Sequence, residues 1–191
     1  MAAPVKATMA HNAPTVATNC KGGGTMTVAA VLVECKASLV ADWLKRIKNI
    51  RELDHLRLSD KERNGHIPKL VEDLIECLGK AKSTSKDSDA IVSLAAIAHG
   101  KLRCKQGYSA ATLIHESGVL QVTVFRTLHK HLTALVFTAL LPDVMIIADE
   151  VDSQLTQTME SYTEAARKSE AAELLPLPPE PRTARPSQGK L

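Results

Sequence analysis

Aromatic side chains are scarce in this sequence, at 3% of residues, although hydrophobic residues as a class reach 45%. A core must therefore be assembled from Leu, Val, Ile and Ala. That suits packed helices, because sandwiches and barrels draw on Tyr, Phe and Trp along their strands. Charge of one sign is missing too: 24 Lys and Arg face 21 Asp and Glu, a formal net of +3, and part of that excess is Arg182, Arg185 and Lys190 near the C-terminal end. A dedicated nucleic-acid binder takes most of its affinity from a basic patch, so that class is excluded. Cys20, Cys35, Cys77 and Cys104 lie far apart and form no C-x-x-C pair. They read as reduced thiols of a cytoplasmic protein, not as a disulfide frame or zinc site. The most apolar run, Ala134 to Ile147, is interrupted by Pro142-Asp143 and falls short of the ~18 residues a membrane span requires. The N-terminus has no apolar stretch of the secretory kind.

What is present is helical periodicity between two ends that lack it. Residues 1–25 are Ala, Thr, Asn, Gly and Pro without pattern, a composition that cannot offset its ordering entropy and reads as disordered. Lys21-Gly22-Gly23 can be encoded by AAAGGAGGT, a strong bacterial ribosome-binding sequence, and Met26 follows at a suitable distance. Met26 is thus a candidate start. Five helices are expected across 26–173. The first spans Thr27 to Ile50, with Thr27 as N-cap and Val31, Leu39, Trp43 and Ile47 on one side. A charged connector, RELDHLRLSDKERNGH, leads to a second helix opening at Pro68, burying Leu70, Leu74, Ile75 and Leu78 and stopping near Gly79. After the polar loop KAKSTSKDSD, a third runs from Ser88 to Cys104 with Ile91, Leu94, Ala95, Ala98 and Leu102 as its stripe. Ser109 caps a fourth that carries Leu113, Leu120, Val124 and Leu128 and reaches the vicinity of Leu140. The fifth starts at Pro142 or Asp143, continues to about Glu173, and spaces Ala148, Val151, Leu155, Thr158, Tyr162 and Ala165 by threes and fours. Residues 174–191 form a Pro-rich, disordered tail. The fold class is all-α, a four-helix-bundle or globin-like arrangement of about five helices.

The stretch HGKLRCKQGYSAATLIHE, 99–116, concentrates the polar residues of interest. His99 and Arg103 are four apart and share a helix face. Glu116, three after Leu113 and four before Leu120, sits at the edge of the next helix's apolar face. If the third and fourth helices pack as a hairpin about Gly107, Arg103 and Glu116 meet. Gly107 supplies the positive φ of such a corner, and Gln106 reaches exposed helix-end groups. His99, Arg103, Gln106, Gly107, Tyr108 and Glu116 are therefore either a pocket or the fastening of a helical corner. Other chemistry is thinner. Glu52-Leu53-Asp54-His55 is an E-x-x-H step, but a di-iron bundle needs two such steps and two further carboxylates. His129 and His131 point to different sides of a helix. A phosphotransfer histidine would carry lysine and glycine after a two-residue gap, where His99 is followed at once by Gly100-Lys101. No nucleotide loop or Ser/His/Asp arrangement is discernible. No catalytic, metal-binding or cofactor-binding residue is assigned.

AHGKLRCKQGYSAATLIHESGVLQ resembles the central signature of the RsbRD N-terminal domain family, the sensor-like module of RsbT co-antagonist proteins. His99, Gly100, Arg103, Gln106, Gly107, Tyr108, Leu113, Glu116 and Leu120 carry the likeness, and the Trp43 helix and HIPKLVEDLIECL fit the family's opening. It extends from about Thr27 to Ala165. Ser117 and Gln121 depart from it, where the family often has an aromatic residue and an arginine. The resemblance implies an all-α input domain without bound haem and without enzymatic activity. It implies a sensory or adaptor role in a stress-response or two-component pathway, with a kinase or STAS-domain protein as regulatory partner. Such domains usually precede an output domain, whereas this chain continues into the Pro-rich tail, as a stand-alone module would. A homodimer paired through the first or fifth helix is a further expectation. Membrane and nucleic-acid partners are not expected. The alternatives are a histidine phosphotransfer protein using His99 and a bundle that binds a small molecule.

Overall fold

Thr27 opens the first helix by accepting a hydrogen bond from Ala30 N at 3.2 Å, as its hydroxyl and position predict. The structure is a computed structural model that describes residues 25–53, 55–80 and 92–173. The expectations of disordered ends and of a Lys80–Asp89 loop, and the positions of Cys20, Asp54 and Ile91, lie wholly or largely outside the described residues. Helix α1 runs Val28–Ile47, ending before Ile50, and buries Val31, Leu32, Leu39, Trp43 and Ile47. The charged connector is more structured than its composition suggests. It holds a 3₁₀ turn, Arg51–Leu53, and a short helix α2, Asp60–Asn64. Ser59 and Glu62 close a capping box at its start, and Gly65 at φ +44° ends it. Helix α3, Ile67–Lys80, has Pro68 in its first turn and buries Leu70, Leu74 and Leu78, while Ile75 is only partly covered.

Helix α4 spans Leu94–Lys105, and residues 92 and 93, expected within it, are not helical. Ser93 caps it, accepting from Ala96 N at 3.0 Å and donating to Asp73 at 2.7 Å. The expected apolar stripe is displaced. Leu94 is 78% exposed, and the buried side is Ala95, Ala96, His99, Gly100 and Arg103. The cause is a close crossing with the last helix: a Cβ at Gly100 would lie 2.1 Å from Thr158 O. Only a side formed by small residues lets the backbones approach so far.

Helix α5, Ala110–Lys130, stops well before Leu140. The chain then leaves the helix to pair with the start of α1: Met26 N donates to Ala134 O at 2.7 Å, and Val136 N to Met26 O at 3.2 Å. Helix α6 therefore starts at Phe137, upstream of Pro142, and continues to Glu173. Pro142 sits inside the helix, where its missing N–H leaves the Thr138 carbonyl without a helical donor. Both residues are exposed, so solvent can satisfy that carbonyl. The described residues thus form an all-α bundle of five long helices and the short α2. Its pairing differs from a simple hairpin series: α4 packs chiefly on α6, and α5 on α1, with α3 bridging α1 and α6. Leu, Val and Ile with Trp43 form the core. Among the described residues no helix is long and apolar enough to cross a membrane.

Candidate functional site

Helix α4 ends in a Schellman motif. Tyr108 N donates to Arg103 O and Gly107 N to Cys104 O, both at 3.1 Å, with Gly107 at φ +79°. That motif usually adds an apolar contact between the residues at its two ends. Here the contact is Tyr108 against Arg103, whose guanidinium carbon lies 4.6 Å from the ring centroid. The cap thus fixes the ring and the ring covers the cation. Ser109 restarts the chain as N-cap of α5, accepting from Thr112 N at 3.1 Å.

Arg103 is fully buried, and each of its five N–H donors has an acceptor. Nε donates to Glu116 Oε2 at 3.0 Å and Nη2 to Glu116 Oε1 at 2.6 Å, a bidentate pair. Nη1 donates to Gln106 Oε1 at 2.7 Å and Glu62 O at 3.1 Å, and Nη2 also donates to Arg63 O. His99 Nε2 donates to Glu116 Oε2 at 3.1 Å, because a carboxylate can only accept. The ring of His66 meets that of His99 edge-on at 6.2 Å. Five of the six residues singled out in the sequence, His99, Arg103, Gln106, Tyr108 and Glu116, are in one network, and Gly107 makes the turn. The expectation that α4 and α5 form a hairpin needs correction: the pair spans a corner between helices that pack mainly on other partners.

Burial is the largest influence on Glu116 and would raise its pKa, but His99 and Arg103 together hold the carboxyl below the usual range. Burial also pushes the Tyr108 hydroxyl up to about 12, with Glu116 adding to the effect. His66 is depressed chiefly by burial, with His99 and Arg103 beside it adding to the effect. Several buried polar atoms in this region have no protein partner among the described residues: His99 Nδ1, His66 Nδ1, Asn64 Oδ1, Arg63 Nη1 and Tyr108 Oη.

Space at the network is small. The cavity touching His99, Glu116, Gln154 and Thr158 measures about 20 Å³, room for one water molecule. A wider recess of about 500 Å³ lies on the outer side of the corner, bounded by Glu52, His55, Tyr108, Thr112 and His115. The sequence reading missed the α2–α3 junction, which supplies the Glu62 and Arg63 carbonyls. Its readable signals were Ser59-x-x-Glu62 and Asn64-Gly65, a capping box and a turn pair. Elsewhere, Glu52 and His55 are exposed, His129 is exposed, and His131 Nε2 lies 3.3 Å from Cys35 Sγ. Among the described residues no group of three His, Cys, Asp or Glu is placed to hold a metal ion. Cys35, Cys77 and Cys104 form no disulfide among the described residues.

These features define an all-α bundle whose polar centre is a sealed charge cluster joining α4, α5 and the α2–α3 junction. Compared with known proteins, the chain matches no family model, no curated protein and no solved structure.

Proposed function

We propose that the chain is a non-enzymatic signalling domain, a sensory or adaptor module of the RsbRD N-terminal kind acting through a regulatory protein in a stress-response or two-component pathway. The observation that carries this reading is the closure of the signature residues on one another. His99, Arg103 and Glu116 are at most 3% exposed, and a water-sized cavity leaves no room there for a substrate. Residues so enclosed set the relative placement of helices. A partner or cue acts on them by favouring one packing over another, in proportion to its differential affinity. Phosphotransfer through His99 is disfavoured by the same geometry, since Nε2 is held by Glu116 and the ring is buried. A pull-down of the native chain in gentle salt, read by mass spectrometry and repeated with purified candidates, tests the proposal. Direct binding of a kinase or STAS-domain protein is expected; acid-labile phosphate on His99 after incubation with a phosphodonor would overturn it.

The recess of about 500 Å³ supports a second reading, a small-molecule site. It adjoins the corner through Gly107 and Tyr108, so a ligand there would act on the network from outside. A metabolite screen by thermal shift tests it. Stabilisation that His115→Ala and Glu52→Ala abolish would favour this reading.

A further inference from the structure

Helices α1 and α5 meet along a recess of about 220 Å³ that shares no lining residue with the Arg103 corner. Asp42, Lys45 and Arg46 of α1 form one wall, and Arg126 and Lys130 of α5 the other. Thr123 and Thr127, both buried, are its floor. Their hydroxyls donate to Val119 O at 2.7 Å and Thr123 O at 3.0 Å, within α5 itself. The charged groups are therefore confined to the walls.

Asp42 is the single carboxylate there. Lys130 Nζ lies 3.0 Å from its Oδ2 and Lys45 Nζ 3.8 Å from its Oδ1. The hydrogen bond from Lys130 holds this carboxyl below its usual range against the effect of burial, and the charges of Lys130, Lys45 and Arg46 add to the shift. One acid thus answers three cations. Arg46 and Arg126 form no ion pair or side-chain hydrogen bond among the described residues. Arg126 also stands four residues from Lys130, a spacing at which like charges repel.

We propose that this recess binds a small phosphorylated dianion, gripped between the Arg46 and Arg126 guanidinium groups with Lys45 and Lys130 beside them. The charge balance selects that ligand. Four cations outnumber one carboxylate by three. Lys45 and Arg46 lie in the last turn of α1 and Lys130 in the last turn of α5, where each helix end is equivalent to about half a negative charge. About two positive charges remain, the complement of a phosphate monoester at neutral pH. Arginine suits the task because its planar fork meets phosphate oxygens two at a time. The recess is smaller than the ~300–1,000 Å³ of an ordinary ligand pocket, which fits a compact ion. The proposal is independent of the signalling reading, since neither the corner nor a protein partner enters it.

Calorimetric titration of the full chain at low ionic strength, with inorganic phosphate and separately with glycerol phosphate, tests it. A dissociation constant of ~0.1–1 mM is expected, rising at least ~3-fold between ~20 and ~200 mM salt as screening sets in. Equal affinities assign the site to free phosphate, and a tighter ester assigns it to a phosphorylated metabolite. Dimethyl phosphate, a monoanion, should bind at least ~5-fold more weakly. Arg46→Gln combined with Arg126→Gln should weaken phosphate binding at least ~10-fold. Because neither arginine has an ion pair to lose, that variant should melt no lower than the parent in phosphate-free buffer. Lys105→Gln, which removes a charge elsewhere, should leave binding unchanged. No heat with either ligand up to ~10 mM, well above the expected constant, overturns the proposal. So does phosphate binding that the double variant retains, or dimethyl phosphate binding as tightly as phosphate. A lower melting temperature of the double variant also overturns it, by showing the arginines committed to the fold.

Discussion

Gly100 offers the sharpest perturbation of the bundle. A Cβ there would stand 2.1 Å from Thr158 O, 2.2 Å from Ser161 Oγ and 3.0 Å from Thr158 C. The nearest obstacle is a backbone carbonyl inside a long helix, which cannot rotate aside. Gly100→Ala must therefore part α4 from α6 by ~1 Å to restore van der Waals separation. That movement strains the bond from Thr158 Oγ1 to Ala96 O, which is 3.2 Å long. Inserting a methyl group into a filled crossing costs ~1–3 kcal/mol and occasionally more, and a rigid obstacle puts the cost at the upper end. The better helix propensity of alanine returns ~1 kcal/mol. A net loss of ~2 kcal/mol at this size lowers the melting temperature by ~4–8 °C. Gly118 is the control: it lies within α5, and a Cβ there meets nothing within 4 Å. Gly118→Ala should raise the melting temperature while Gly100→Ala lowers it. Thermal melts by circular dichroism read both, and equal responses would refute the close crossing.

Three further outcomes follow from the buried polar groups. Stability should decline on acidification in two stages. His66 has a folded pKa below its ordinary 6.5, so the unfolded chain takes up that proton first, and stability falls as pH drops below about 6.5. Glu116 is held below its ordinary 4.5, so its contribution is in place above that pH and is lost as pH falls through the folded value. Urea titrations from pH 8 to pH 3 measure both stages, and a flat profile to pH 4 would contradict them. Glu150 behaves oppositely. Burial raises its pKa, Gln154 Nε2 only partly offsetting this at 2.8 Å, and the neighbouring Cys77 thiol rises to about 11 through burial and Glu150. A raised folded value means that stability falls as pH rises through it. Glu150→Gln should therefore raise the melting temperature at pH 7, and a lower one would refute the burial penalty. Tyr162 Oη donates to Tyr108 O at 2.6 Å, so Tyr162→Phe should cost ~1 kcal/mol in urea denaturation, and no change would show that bond to be dispensable.

Local chemistry carried far in this sequence, and long-range packing did not. Thr27 and Ser109 were readable as caps because a hydroxyl before an apolar-periodic segment has one best use. Arg103 and Glu116 were readable as partners because each lies a few residues from the same glycine corner. What escaped was set by distant contacts. Pro142 signals a helix start, yet α6 begins at Phe137 because residues 134–136 are tied to Met26. Leu94 and Leu102 fit an apolar stripe, yet the face of α4 that packs is the one where Gly100 meets Thr158. The inner side of α6 is mixed, with Ile147 and Val151 buried beside Asp143, Glu150, Gln154, Thr158 and Ser161, so the three-four spacing found Val151 and Thr158 and could not signal the buried polar residues between them. The carbonyls of Glu62 and Arg63 have no residue-type signature, although Arg103 depends on them.

The central claim is that Arg103 and Glu116 fasten the corner as a buried pair, and a double-mutant cycle tests it most directly. Arg103→Met, Glu116→Leu and the combined variant would be compared in urea denaturation. Each single change strands a buried partner and should cost ~3–5 kcal/mol, whereas the double change strands neither and should cost well under the sum. A coupling energy of ~2 kcal/mol or more is the predicted result. Single variants as stable as the parent, or a coupling within ~0.5 kcal/mol of zero, would contradict the account and return these residues to the surface as an accessible site.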